Sequence, residues 1–212
     1  MGTRLSASVR EQIEKGVSIL KQGGVVAFPT DTVYGLGASI GIDSAVERVY
    51  RIKERQRRMA LPLLLADIPQ LDEVAISIPT SARLLAENFW PGPLTLVLLK
   101  SDSVSDTVSG GSETIAVRVP AHPIPIALAQ GVGTPIVGTS ANLSGQPSTL
   151  TAEEAHAQLG NKADLIIDGE CPRGKESTIV DLTGETPVIL RQGALLIEEL
   201  RQLCPDITVK GG

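Results

Sequence analysis

Apolar residues recur at helical spacing in SVREQIEKGVSILKQ (8–22), where Val9, Ile13, Val17 and Leu20 share one face, and Gly23-Gly24 ends the segment like a left-handed cap. VVAF (25–28) then reads as a short buried strand running into PTDT. Asp43 is placed to cap a second helix that turns Val46, Val49, Tyr50 and Lys53 to one side. LPLLLA (61–66) predicts another buried strand, PTSARLLAENF (79–89) a helix, and WPGP (90–93) its stop and turn. LTLVLLK (94–100) and TIAVRVP (114–120) have strand patterns, separated by a polar loop at 101–113. A short helix opened by proline follows at 123–130, then a strand at 134–140 that enters a polar turn. Thr151 and Glu154 have capping-box spacing ahead of AEEAHAQL. Strands are predicted at 164–168, 177–182 and 186–191, the last two joined at Gly184-Glu185, with a final helix at 196–203. Helices and strands alternate early and hairpins come late, which predicts one α/β domain with a mixed sheet.

Composition narrows the class. The 212 residues are long enough to bury a real core, and 42% apolar with 20% charged residues is ordinary for a folded globular chain. No apolar stretch reaches the roughly 18 residues of a membrane span, and the charged N-terminus lacks a signal-peptide core. Cys171 and Cys204 lack the spacing of a zinc site or a disulfide framework, so a cytoplasmic protein is expected. The net charge of −5 argues against a protein that coats nucleic acid. The average conceals a basic island: Arg48, Arg51, Lys53, Arg55, Arg57 and Arg58 face only Glu54 within eleven residues. An anion site and a solvated helix face both account for it.

Most familiar motifs fail on their chemistry. GECPRGK (169–175) has P-loop spacing, but Glu176 stands where a magnesium-binding hydroxyl belongs and STIVDL reads as a strand. Gly35-Leu36-Gly37 lacks the third glycine of a dinucleotide fingerprint. His122 and His156 have no partners at ligand spacing, so no protein-built metal site is expected, and Ser140 is not in a nucleophile elbow. What remains are polar segments at or near strand ends: PTDTVYGLG, KERQRR, TIAVRVP, GTSANLSGQPS, KESTIVD and RQG. Ligands collect at strand ends in open α/β sheets, so these segments are candidates to converge on one pocket. Arg118 stands out, because alternation within the strand leaves it either exposed or a costly buried cation, and a buried arginine needs an anionic partner, a ligand or a carboxylate of the chain itself.

In this order, GGVVAFPTDTVYGLGA, KER, FWPGPLTLVL, VRVPAHPIP, GTSANLSGQPS, STIVDLTG and LRQGA resemble the YrdC-like family of threonylcarbamoyl-AMP synthases, from about residue 23 to 193. The resemblance implies a YrdC-like twisted mixed β-sheet with flanking helices and a large positively charged concave groove. It implies one catalytic domain over 1–212, the short form without the extra C-terminal domain of longer members. The implied enzyme is a nucleotidyltransferase that makes threonylcarbamoyl-adenylate and pyrophosphate from L-threonine, bicarbonate and ATP. The product would serve N6-threonylcarbamoyladenosine formation at position 37 of tRNA, through a separate transferase complex.

The family's motifs map residue by residue. Lys53 and Arg55 match its K-x-R motif and are expected to clamp phosphates as the catalytic pair. Ser140 and Asn142 match S-x-N; with Thr114, Ser148 and Arg191 they are the remaining expected ATP contacts. Thr32, Arg118 and Ser177 are expected to hold threonine, Arg118 pairing with its carboxylate. Mg2+ is expected to come with ATP, held by phosphates and water. The stretch 56–61 is about two residues longer and more basic than the family's usual form, and Ala66 or Asp67 stands where a histidine sometimes occurs.

Two other readings stay open at this point. One is a double-stranded RNA, tRNA-binding or ribosome-maturation module using the same cationic groove. The five aromatics (Phe28, Tyr34, Tyr50, Phe89, Trp90) do not form a base-stacking platform, but phosphate-based binding would not need one. The other is a carbamoyl-adenylate enzyme acting on carbamoyl phosphate.

Overall fold

The computed structural model describes residues 5–210. Helix α1 (Ala7–Lys21) starts at Ser6, whose hydroxyl accepts from Val9 N at 3.2 Å, and it buries Ile13, Gly16 and Leu20. A hairpin follows, β1 (Val26–Phe28) against β2 (Gly35–Gly37). In helix α2 (Asp43–Lys53) the cap is Ile42, with no side-chain bond, rather than Asp43. Asp43 is the first helical residue, where a carboxylate still favours the helix N-terminus, and it accepts from Ser105 Oγ at 2.7 Å.

The strand expected over 61–66 is only β3 (Leu63–Leu64). Helix α3 (Leu71–Val74) and strand β4 (Ala75–Ile76) were not anticipated; helix α4 (Thr80–Phe89) and strand β5 (Leu94–Lys100) were. The polar loop contains a one-turn helix, α5 (Asp106–Ser109), before β6 (Thr114–Arg118). Helix α6 (Pro123–Val132) has proline in its first turn and His122 as its cap.

The strand expected over 134–140 is broken in two, β7 (Ile136–Val137) and β8 (Thr139–Ser140). Next come α7 (Ala152–Leu159), β9 (Leu165–Ile166), β10 (Thr178–Asp181), β11 (Val188–Arg191), α8 (Ile197–Arg201) and an unanticipated β12 (Thr208–Val209). The capping box of α7 is half formed. Thr151 accepts from Glu154 N, whereas the Glu154 carboxylate takes Leu150 N. The P-loop-like segment leads into β10 and no helix, as its β-branched sequence requires.

The strands form two mixed sheets. The smaller has the order β8-β2-β1-β9, and the larger runs β12-β11-β10-β5-β6-β3-β7 with β4 beside β5. Gly138 is where the chain passes from one sheet to the other. It follows β7, which pairs with β3, and precedes β8, which pairs with β2. A Cβ there would lie 2.2 Å from Leu64 Cγ, so only glycine permits the crossing so close to β3.

Strand β1 explains the continuous apolar run at 25–28. Val25 and Ala27 point into the main core, Val26 and Phe28 into a second core with Ile13, Leu20 and Leu128. The larger sheet is asymmetric. Leu94, Leu96, Leu98, Ile115, Val117 and Val180 face the main core. The alternate positions, among them Thr95, Val97, Ala116, Arg118 and Ile179, lie on the opposite face, where Val97, Ala116 and Ile179 are half-buried.

One irregularity in that sheet matters. Val180 pairs with Ile189 but Ile179 pairs with Arg191, so Leu190 is an extra residue in β11. In unbroken register Leu190 would stand opposite Ile179; the bulge brings Arg191 there instead. After β11 the chain folds back on the start of β10. Ala194 N donates to Glu176 O at 2.8 Å, and Thr178 Oγ1 accepts from Gly193 N and Leu195 N. A Cβ on Gly193 would lie 2.3 Å from Glu176 O and 2.4 Å from the Ser177 carbonyl carbon. Gly193→Ala is therefore expected to cost about 1–3 kcal/mol, since backbone cannot yield as a side chain can. Urea unfolding of the two proteins checks it, and an unchanged midpoint would refute the close approach.

Candidate active site

A cavity of about 240 Å³ opens on the half-buried face of the larger sheet. Of the ten residues expected at a site, Thr32, Arg55, Arg118, Ser140, Ser177 and Arg191 line it. Ser148 sits just behind, donating from Oγ to Glu176 Oε1 at 2.7 Å. Lys53, Asn142 and Thr114 do not line it.

The loop at 30–33 is organised by its own hydroxyl. Thr30 Oγ1 donates to Val33 O at 2.7 Å and accepts from Thr32 N at 3.1 Å, which curls the chain between β1 and β2. Thr32 is thereby turned toward Arg118, whose Nη1 donates to Thr32 Oγ1 at 2.9 Å. Arg118 Nε donates to Gly92 O at 2.8 Å, and Nη2 pairs with Asp31 Oδ1. Both partners of that ion pair are buried. The anionic partner that Arg118 requires is thus a carboxylate of the chain itself. Three of the five guanidinium N–H groups are committed, so N–H capacity remains for a ligand.

Asp31 Oδ2 is buried without a hydrogen bond, and Arg173 Nε stands 3.8 Å from it. Burial lowers the Arg118 pKa, and the adjacent Asp31 charge opposes that shift. His122 accepts from Ile124 N at 3.3 Å through Nδ1, and burial lowers its pKa, consistent with a structural cap.

Ser177 lies between two partners. Its hydroxyl is 2.8 Å from Thr95 Oγ1, and Arg191 donates to its carbonyl from Nε at 3.2 Å and from Nη2 at 3.1 Å. Arg191 Nη1 pairs with the Glu176 carboxylate. Thr95, Glu176, Thr30 and Tyr34 line the cavity but were not singled out from sequence. Thr95 left a readable signal, a lone hydroxyl alternating with buried leucines; Glu176 left none beyond spoiling the P-loop pattern.

Lys53 departs most from expectation. It is 2% exposed, and its Nζ donates to the carbonyl oxygens of Ser140 and Asn142, the latter at 2.7 Å, and to Asn142 Oδ1 at 3.2 Å. Asn142 Nδ2 in turn donates to Leu143 O and Gln146 O. Lys53 and Asn142 therefore hold the 140–146 turn from behind, and Ser140 is the member of that group at the cavity. Arg55 does reach the cavity, with its fork folded onto Met59 O at 3.2 Å and Ala60 O at 3.0 Å, inside the lengthened stretch. Thr114 stands four positions before Arg118 on the same strand face, beyond the cavity rim.

The basic island is dispersed. Arg48 grips Asp164 with two bonds, and Arg57 pairs with Glu47 at the surface. Arg58 donates to Gln56, and Arg51 is exposed. Only Arg55 is left facing the cavity, and the Arg118 and Arg191 charges there are each matched by a carboxylate. Among the described residues no three His, Cys, Asp or Glu side chains converge as metal ligands. The Cys171 thiol is free and burial pushes it up to about 11, which leaves it protonated at neutral pH. No helix of the described residues is long and apolar enough to cross a membrane.

Comparison with known proteins agrees with these features. The family model Sua5/YciO/YrdC, described as telomere recombination, matches residues 18–193. A threonylcarbamoyl-AMP synthase of Pyrococcus abyssi is 43% identical over 208 residues, covering 95% of this chain but 61% of the relative. A putative threonylcarbamoyl-AMP synthase of Mycobacterium tuberculosis is 38% identical, covering 90% of this chain and 88% of its own. The crystal structure of P. abyssi Sua5 complexed with L-threonine superposes with a TM-score of 0.93 at 41% identity, over 98% of this chain and 61% of that one. The present chain thus spans about three fifths of the length of the P. abyssi relative.

Two predictions follow from the buried charges. Asp31→Ala leaves Arg118 as an uncompensated buried cation and should cost about 3–5 kcal/mol; Asp31→Asn, which keeps the acceptor, should cost less. A loss below about 1 kcal/mol in urea unfolding would mean that Arg118 is satisfied elsewhere. The second concerns Lys53, whose pKa burial lowers to about 8, helped by the Arg55 charge and opposed by Glu176. The unfolded chain then holds the extra proton between about pH 8 and its ordinary 10.5, so stability rises with pH across that window. Lys53→Met should flatten the rise relative to wild type, and equal slopes would count against the shift.

Proposed function

The chain belongs to the Sua5/YciO/YrdC family, and from that premise we propose that it makes threonylcarbamoyl-adenylate and pyrophosphate from L-threonine, bicarbonate and ATP. One observation carries the reading: six side chains from separate segments, all on the family's motifs, converge on one cavity. The fold around that cavity is shared with a relative crystallised with L-threonine.

In this reading the lining residues are shared between two substrates. Thr32, Arg118 and Ser177 form a hydroxyl- and guanidinium-lined end suited to an amino acid carboxylate and hydroxyl. Arg55, Ser140 and Arg191, with Ser148 behind, suit the nucleotide phosphates; Thr114 lies outside the lining, on the same strand face as Arg118. The threonine amine combines with bicarbonate to give a carbamate and water. A carbamate oxygen then attacks the α-phosphorus of ATP, and the bond to the β,γ-diphosphate breaks to release pyrophosphate. Neither step needs an enzyme nucleophile, in keeping with the protonated Cys171. The protein's task is to hold anions in line and to offset charge as it grows on the phosphoryl oxygens.

Arg55 is the clamp in this reading. Lys53 and Asn142 support it by fixing the turn that presents Ser140. The lining offers one carboxylate, Glu176, and it is already engaged by Arg191 and Ser148. Mg2+ would therefore arrive on the nucleotide, held by phosphates and water, and neutralise phosphate charge. The product would pass to a separate tRNA threonylcarbamoyl-transferase complex. Within the basic island Arg48 and Arg57 are paired with Asp164 and Glu47, which leaves fewer free cations there for RNA phosphates.

Pyrophosphate release should require ATP, bicarbonate and threonine together, and mass detection should find the adenylate. Threonine-independent turnover, or none with all three present, sinks the proposal. Arg55→Ala is expected to cut turnover by roughly 10²-fold, the usual loss for a transition-state clamp, with little change in thermal stability.

A further inference from the structure

Glu176 stands in the nucleotide half of the cavity with both carboxylate oxygens engaged. Oε1 accepts from Ser148 Oγ at 2.7 Å, and Oε2 pairs with Arg191 Nη1. A serine hydroxyl has one proton to donate, and Ser148 gives it to Glu176. Arg191 is nearly exhausted as well, since its Nε and Nη2 donate to Ser177 O and Nη2 also reaches Ser177 Oγ at 3.3 Å. Two groups assigned above to ATP are thus engaged with an anion of the protein's own.

We propose that Glu176 is an internal competitor for the nucleotide: its carboxylate occupies an anion position between Arg191 and Ser148, and phosphate binding has to displace it. The inference rests on the cavity being the ATP site. Three features fit an exchangeable contact. The side chains of Arg191 and Glu176 are 42% and 39% exposed, so solvent screening holds their pair to a factor of roughly five. The Glu176 main chain is pinned by Ala194 N, so the carboxylate can leave by side-chain rotation alone. Once released, it faces phosphates of its own sign and is driven toward solvent. A ligand phosphate offers Arg191 and Ser148 the same two bonds and, unlike Glu176, extends toward Arg55.

Calorimetric binding of pyrophosphate to the full chain tests this without any need for turnover. Glu176→Gln should bind pyrophosphate roughly three- to ten-fold more tightly than wild type, and the gain should vanish in the Arg191→Gln background. Equal or weaker binding by a folded Glu176→Gln protein overturns the proposal, as does a gain that survives without Arg191. A crystal structure of the wild-type protein with pyrophosphate decides the matter even if the variant fails to fold. Glu176 should have turned away from Arg191, and an intact pair beside bound pyrophosphate overturns the idea. Loss of threonine-dependent turnover would count against the synthase reading and leave these binding results standing.

Discussion

A guanidinium buried where two sheets meet has to be paired, and the pairing of Arg118 determines the form of the cavity. Strand β6 of the larger sheet supplies the cation, while the loop between the two strands of the small-sheet hairpin supplies Asp31 and Thr32. The turn after α4 adds Gly92 O. Removing water from either charge alone would be costly, so these three segments come together or the core does not close. The same bonds fix Thr32 at the cavity wall. One cluster therefore both closes the core and shapes the cavity wall.

Around that seam the larger sheet supplies a floor. Its strands keep one face on the main core and leave the other half-buried, so alternate residues of each strand become candidates for chemistry. Two backbone devices then refine the layout. The bulge at Leu190 brings Arg191 opposite Ile179, and the glycine at 138 lets one strand serve two sheets and deliver Ser140. Neither adds a side chain to the cavity, yet each decides which side chain faces it.

Charge is handled locally. At the cavity two arginines are matched by carboxylates of the chain, Arg118 by Asp31 and Arg191 by Glu176. Arg48 and Arg57 brace α2 through Asp164 and Glu47, and Lys53 braces the turn at 140–146. A folded cavity lined with arginine forks and hydroxyls then needs no broad positive surface. The scarcity of aromatics fits the same picture, since phosphate and carboxylate recognition relies on donors and not on stacking.

Much of the layout was legible in the sequence because it is local. The periodicity of α1, the alternation in LTLVLLK and the proline opening α6 each report the environment of a few neighbours, and the structure follows them. Short strands such as β2, β4 and β12 carry too few residues for any period to register. The motifs held part of the cavity's lining: six of the ten expected residues line it, while Thr30, Tyr34, Thr95 and Glu176 line it without having been singled out. Which charges meet was not. Arg118 and Asp31 are 87 positions apart, Lys53 and Asn142 are 89, and nothing local marks either pair. The sequence by itself determined the elements and the stock of hydroxyls and guanidiniums. Only tertiary packing decided that Lys53 meets the carbonyls of the 140–146 turn, that Arg118 pairs within the chain and that Glu176 sits between Arg191 and Ser148. A buried charge takes whichever partner the closing core brings within reach, and that choice is made over the whole chain at once.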